Sequence, residues 1–282
     1  PKFILTSISQ ETDENFKFYT ALQVEQKTPY FVLQHGNSYF TEDFVQNRVE
    51  FETPNSFFSF GIANKNKVIK SFCNHLTLGR KIKYNKKGFL HLLPSPNTTR
   101  ISPYDRNIEL NNGLRTLYKF EKKIGTELKN KILLRLHECY KADERGEWYY
   151  KKYFKNFKSE HIDFWTNSYL TNLRNSRVNV FFYDSTGILE NLIYNIPTLA
   201  IWPDQYNHIN SEYIEKYKLL QDANILFENV DDLIAHLSKF WHNIDEWWMS
   251  NKTQELILKF NSQFNIKPSF RSLLNLKKQI LQ

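Results

Sequence analysis

Short apolar runs alternate with stretches of helical spacing along this chain, and the clearest such unit spans residues 179–203. Residues 179–183 (N-V-F-F-Y) are mostly β-branched or aromatic and predict a strand, which Asp184, Ser185, Thr186 and Gly187 interrupt. Beyond them Ile188, Leu189, Leu192 and Ile193 have the spacing of one buried helix face, with Ser185 or Thr186 as the cap. Asn195 suits the left-handed residue that ends a helix, Pro197 forbids its continuation, and residues 198–202 predict a second strand. Strand, helix and strand make a βαβ unit whose strands lie parallel in one sheet.

The same pattern recurs on both sides. Strands are expected over 3–7, 29–33, 88–93, 131–137 and 225–227, a strand and turn over 52–62, and an apolar piece of either kind over 68–72. Helices are expected over 13–25, where Phe16, Tyr19, Leu22 and Val24 are core candidates, and over 107–124, 210–218 and 230–241, with a last one running to Phe260. Alternation of this kind predicts an α/β fold. The basic, glycine-containing stretch 64–87 reads as a crossing between two lobes, dividing the chain into 1–63, 64–87, 88–265 and a tail, 266–282.

At 282 residues the chain exceeds one average domain, and 41% hydrophobic and 16% aromatic residues supply sizeable cores. The formal charge of +8 favours anionic partners such as nucleotides, phosphorylated sugars or a membrane surface, although scattered lysines also describe a solvated surface. Cys73 and Cys139 lie far apart without metal-ligand spacing, so reduced thiols in a cytosolic protein are expected. No membrane span and no leader are recognisable. The strand-like opening without methionine predicts a chain that begins inside a domain.

Candidate chemistry sits where predicted strands end. At the 184–187 turn, free N–H groups and the helix dipole favour phosphate, Gly187 allows close approach, and Glu190 one turn on could receive ribose hydroxyls. S-T-G-x-x-E is equally an ordinary capped helix. His35 and Gly36 follow another strand; His35 could bind phosphate, act as acid or base, or be structural. The loop after residue 93 offers Ser95, Asn97, Thr98 and Arg100 for donor phosphates, or is a simple Pro-Asn turn. Arg135 interrupts a buried strand, so it is either paired with a core carboxylate or aimed at a ligand phosphate. The aromatic and basic stretch 140–167 reads as a surface helix laying lysine stems over aromatic packing, without a nucleic-acid motif. No P-loop, dinucleotide, zinc or nucleophile-elbow motif is present, so those chemistries are not expected.

Q-H-G-N-S-Y (34–39), E-T-P-N-S-F-F-S-F-G (52–61), L-L-R-L-H (133–137), the whole of 183–202 and D-E-W-W (245–248) resemble a family of surface-polysaccharide (O-antigen) transferases. That family is similar to GT-B glycosyltransferases and to CDP-glycerol glycerophosphotransferases. The resemblance implies two Rossmann-like lobes with parallel sheets facing across a cleft, the first lobe incomplete here, and a nucleotide-activated sugar donor held by the second. It implies donor contacts from Gly36, Arg135, Asp184, Ser185, Thr186 and Glu190, His35 as the candidate base, and no cofactor or required metal. The acceptor would be a glycan or lipid-linked glycan, with the protein cytoplasmic, at the inner membrane surface, and without a nucleic-acid partner. Glycerophosphotransferase-type phosphotransfer, a sugar epimerase and a non-catalytic donor-binding module are the alternatives.

Overall fold

The structure, a computed structural model, describes residues 1–41, 49–63, 66–76, 78–95, 107–137, 140, 147–148, 151–152 and 154–281. Its strands are β1 (Ile4–Thr6), β2 (Tyr30–Leu33), β3 (Ser56–Ser59), β4 (Val68–Lys70), β5 (Phe89–Leu93), β6 (Ile132–Arg135), β7 (Ile162–Asp163), β8 (Ser176–Phe181), β9 (Thr198–Ile201) and β10 (Leu226–Phe227). The longer helices are α1 (Glu14–Glu25), α2 (Asn107–Lys123), α3 (Tyr169–Asn175), α4 (Thr186–Tyr194), α5 (Ser211–Asp222), α6 (Val230–Phe240), α7 (Asn251–Phe264) and α8 (Phe270–Leu281). The chain forms two compact units: Pro1–Arg80 with His208–Tyr213 and Leu258–Gln282, and Lys81–Asn207 with Ile214–Ile257.

The first unit is built on a parallel sheet in the order β1-β2-β3-β4. Segment 64–87, expected as a crossing, therefore supplies a strand of this sheet: β4 pairs with β3, Val68 opposite Phe57. Aromatic residues fill the core. Phe51 stacks on Phe40 at 5.0 Å and meets Phe57 edge-on at 4.9 Å, and Phe57, Phe58 and Phe60 are buried. Cys73 is a buried free thiol, and Cys139 lies outside the described residues. Residues 266–282, expected as a tail, begin with Ile266 bonded to both Phe60 O and Cys73 N–H at 2.9 Å, and continue as α8, which buries no side chain. Gly61 makes this approach possible, because a Cβ there would stand 2.7 Å from the Phe264 carbonyl carbon.

The expected core of α1 is corrected by the structure. Asp13 caps the helix by accepting from Phe16 N–H at 3.0 Å, but Thr20 is its buried residue, while Tyr19, Leu22 and Val24 are exposed. At 100° per residue these side chains and Phe18 fall right round the helix, so no apolar stripe exists to turn inward.

The second unit holds a parallel sheet in the order β10-β9-β8-β5-β6-β7. The βαβ unit is present: β8 and β9 pair in parallel with Asn179 opposite Thr198, and α4 connects them. Ser185 caps α4, Asn195 ends it in the left-handed region at φ 55°, and Ile188, Leu189, Leu192 and Ile193 are buried. Asn195 also anchors the C-terminal segment of this unit: its carbonyl accepts from Trp248 Nε1 at 3.2 Å and its Oδ1 from Gln254 Nε2 at 3.1 Å. At the sheet centre His91 lies opposite Asn179, and its Nδ1 stands 2.8 Å from the amide oxygen. Burial pushes the imidazole pKa down to about 4, so the ring is neutral and donates through Nδ1. In the aromatic and basic stretch, Lys152 lies 4.3 Å over the ring of exposed Trp148, and Phe154 is buried.

Candidate functional site

Counted within the second unit, β7-β6-β5-β8-β9-β10 is the order 3-2-1-4-5-6 of doubly wound nucleotide-binding sheets. The direction of winding reverses between β5 and β8, which run parallel, and in sheets of this order the ligand crevice lies at such a switch point, beyond the carboxyl ends of the strands. Phe182 N–H to Leu93 O, 3.1 Å, closes its floor. Helix α2 reaches the end of β8 at Gly113, where a Cβ would lie 2.4 Å from Phe182 O. Asn112, Tyr183, Trp202 and Asp204 line a small hollow there. Past β9 the backbone is strained, with Gln205 and Tyr206 both left-handed at φ 53° and 69°.

The expected turn stands at this switch point. Ser185 Oγ accepts from Gly187 N–H at 3.2 Å and donates to Tyr183 Oη at 3.1 Å, so the ordinary helix cap is present. Asp184 and Ser185 are buried, whereas Tyr183, Thr186, Gly187 and Glu190 are partly exposed. Thr186, Gly187 and Glu190 share one face of the first turns of α4, and Tyr183 precedes the cap. Gly187 admits no side chain, since a Cβ would meet the Phe181 ring at 2.8 Å and Tyr169 Oη at 3.1 Å. Tyr169 donates to Asn191 Oδ1 at 2.9 Å; burial, and then Glu190 and Tyr183, raise its phenol pKa well above the ordinary value. Glu190, Tyr183 and Tyr169 thus share one neighbourhood.

Of the expected β5-loop residues, Ser95 is fully buried, with its carbonyl accepting from Tyr140 Oη at 2.9 Å. That burial sets its hydroxyl among protein atoms. Asn97, Thr98 and Arg100 lie outside the described residues.

Arg135 resolves toward the carboxylate. Parallel pairing of β6 and β7 sets it opposite Asp163, and Nη1 donates to Asp163 Oδ2 at 2.7 Å and to Asn167 O at 2.9 Å. Both partners are buried. Asp163 is the hub of the following loop: Oδ1 accepts from Thr166 N, Thr166 Oγ1 and Asn167 N at 2.9, 2.7 and 3.2 Å, and Oδ2 also accepts from Asn172 Nδ2 at 2.5 Å. Burial alone would raise its pKa; the bonds from Thr166, Asn172 and Asn167, with the Arg135 charge, outweigh it and hold the carboxyl below its ordinary value.

His35 and Gly36 belong to the first unit, at the carboxyl end of β2. Buried Gln34 shapes their loop, its Oε1 accepting from Phe60 N–H at 2.8 Å and its Nε2 donating to Gly36 O at 2.5 Å. The His35 ring lies 5.8 Å from that of His75. Among the expected residues, the 184–190 group is gathered at the switch point and Arg135 two strands away. Sequence reasoning did not mark Tyr183, Tyr169 or Asp163, which the structure sets beside the expected residues. D-x-x-T-N at 163–167 is a side-chain-capped turn signature that could have marked Asp163, but nothing local distinguishes Tyr169.

Solved structures share this architecture. The S. aureus MnaA–UDP co-structure aligns over 100% of this chain and 74% of its own, at 12% identity and a TM-score of 0.54. A UDP-N-acetylglucosamine 2-epimerase candidate from Listeria monocytogenes aligns over 99% and 75%, at 12% identity and 0.53. The fold is therefore α/β and GT-B-like, with a Rossmann-like parallel sheet in each unit. No curated protein matches the sequence. The model of the LIC12162 family transferases matches residues 1–276, and the chain belongs to that family of transferases.

Proposed function

We propose that the protein is a glycosyltransferase that moves a sugar from a nucleotide-activated donor to a cell-surface polysaccharide acceptor of the O-antigen kind. The observation that carries this reading is the partly exposed helix start at the switch point, Thr186, Gly187 and Glu190, with partly exposed Tyr183 just before its cap. The positive end of the α4 dipole attracts a diphosphate, Gly187 keeps the backbone bare, and the Glu190 carboxylate, one turn on, accepts from ribose hydroxyls. As the glycosidic bond breaks, charge gathers on the leaving diphosphate, and those fixed dipoles stabilise it without a required metal. Membership of a transferase family and the doubly wound sheet agree with this chemistry.

The acceptor in this reading is a glycan or lipid-linked glycan met at the cytoplasmic face of a membrane. Helix α8 supports the second part: Phe270, Leu274 and Leu281 are exposed on it beside Arg271 and Lys278, the composition of a helix that rests on an anionic surface. Among the described residues no helix is long and apolar enough to cross a membrane.

Calorimetric titration with UDP, GDP, CDP, CMP and dTDP, repeated on Glu190→Ala, tests the donor site: one nucleotide should bind selectively and weaken in the variant. The matching labelled nucleotide sugar is then supplied with a lipid-linked glycan. Label in the glycan with release of the nucleotide supports the proposal. An alcohol phosphate product identifies phosphotransfer, an altered sugar without acceptor identifies an epimerase, and binding without turnover identifies a donor-binding module.

A further inference from the structure

Trp165 follows β7 at the carboxyl end of the sheet, with its side chain 48% exposed and its backbone left-handed at φ 59°. A bulky residue in that region is disfavoured by about 1–2 kcal/mol, and a large apolar ring in water gains little in return. The loop nevertheless holds it there firmly. Residues on both sides of Trp165 are tied down, since Asp163 receives the Thr166 and Asn167 N–H groups while Arg135 bonds the Asn167 carbonyl. The ring stands 4.4 Å from the His137 ring, tilted at 68°, and 5.3 Å from the Arg135 guanidinium carbon.

This ring is connected to the switch point. The Arg135 guanidinium lies 6.0 Å from the Tyr169 ring, and Tyr169 Oη stands 3.1 Å from the Cβ position of Gly187. From β8, which leads into the 184–187 turn, to β7 is three strand spacings, about 14 Å. That is about the span of an extended nucleoside diphosphate from its outer phosphate to the far edge of its base. A preset, half-exposed indole flanked by a guanidinium at this distance has the chemistry of a surface for a flat heteroaromatic ring.

We propose that Trp165 is the stacking platform for the nucleobase of the donor, lying at the outer end of a site whose phosphate end is the 184–187 turn. The proposal deepens the donor-site reading and rests on it. Stacking on an indole is tolerant of base identity, so the platform fixes where the base lies, and neighbouring polar groups choose which base it is.

The test titrates UDP, CDP, GDP and inorganic pyrophosphate into the wild-type chain and the Trp165→Ala, Trp165→Phe and Glu190→Ala variants. Trp165→Ala should weaken the preferred nucleotide by about 5- to 150-fold, Trp165→Phe by far less, and neither should change pyrophosphate affinity. The indole emission quenched by nucleotide in the wild type should be lost in Trp165→Phe although binding persists, a change that a merely structural role would not produce. Unchanged nucleotide affinity in Trp165→Ala, with affinity lost in Glu190→Ala, overturns the platform and leaves the donor site standing. Absence of nucleotide binding by the folded wild-type chain overturns both.

Discussion

Replacing Asp163 by alanine should destabilise the second unit more than replacing its partner Arg135, and the asymmetry can be worked from the bonds each leaves behind. With Asp163 gone, the buried Arg135 guanidinium keeps, among the described residues, one hydrogen bond, to Asn167 O, and no counter-charge. Breaking a buried pair in that direction costs about 3–5 kcal/mol. With Arg135 gone, the carboxylate still accepts from Thr166 N, Thr166 Oγ1, Asn167 N and Asn172 Nδ2. Bonds to a charged group are worth about 1.5–3 kcal/mol each, so those four hold most of the carboxylate's stabilisation and Arg135→Ala should cost only about 2 kcal/mol. Urea unfolding followed by far-ultraviolet circular dichroism measures both losses. The carboxyl titrates below its ordinary value in the folded chain, so its contribution is complete above the unfolded pKa of about 3.9 and disappears as pH falls through the folded one. The gap between wild type and Asp163→Ala should accordingly narrow under acid. Equal losses for the two variants, or a loss below about 1 kcal/mol for Asp163→Ala, would refute the hub role.

Four further outcomes are expected. Neutral His91, with its pKa pushed down by burial to about 4, cannot take up the proton that the unfolded chain binds below about pH 6.5. Wild-type stability should therefore fall by as much as about 1.4 kcal/mol per pH unit from pH 6.5 toward 4, and pH-dependent urea melts of His91→Leu should lack that component. Gly187→Ala should destabilise by about 1–3 kcal/mol and weaken nucleotide binding, because its Cβ meets Phe181 at 2.8 Å. Helix propensity alone predicts a gain of about 1 kcal/mol, so the sign of the change in a thermal melt decides between them. If His35 is the base that the family resemblance implies, His35→Ala should lower turnover by about 10²- to 10⁴-fold while donor affinity in a titration is kept, and EDTA should leave wild-type turnover unchanged if the proposed metal-free chemistry holds.

The βαβ unit was legible because each boundary carries its own chemistry: Ser185 caps, Asn195 turns left-handed, and Pro197 cannot continue the helix. The capped turn at 184–187 was legible for the same reason. β4 was harder to place, since Val68–Lys70 is a three-residue strand inside a basic stretch and only its pairing with β3 makes it part of a sheet. Helix α1 shows its apolar content in sequence, but that content is spread right round the helix and defines no core face. Arg135 stayed ambiguous in sequence because its partner Asp163 lies 28 positions away, and only the parallel register of β6 and β7 brings the two together. Trp165 gave no local signal at all; its significance comes from exposure and backbone conformation.

The left-handed stop at Asn195 has a mechanical consequence for the turn at the other end of its helix. Nine residues at 1.5 Å each make α4 a strut about 13 Å long, rigid because its backbone bonds run along its axis. Trp248 and Gln254 fasten the foot of that strut through the Asn195 carbonyl and amide. In the proposed donor site the head, carrying Thr186 and Gly187, is thereby aimed from a distance by residues at the foot of the helix. Side chains at the head could then change with the donor without altering that aim, whereas loosening Trp248 would blunt the proposed site for every donor alike.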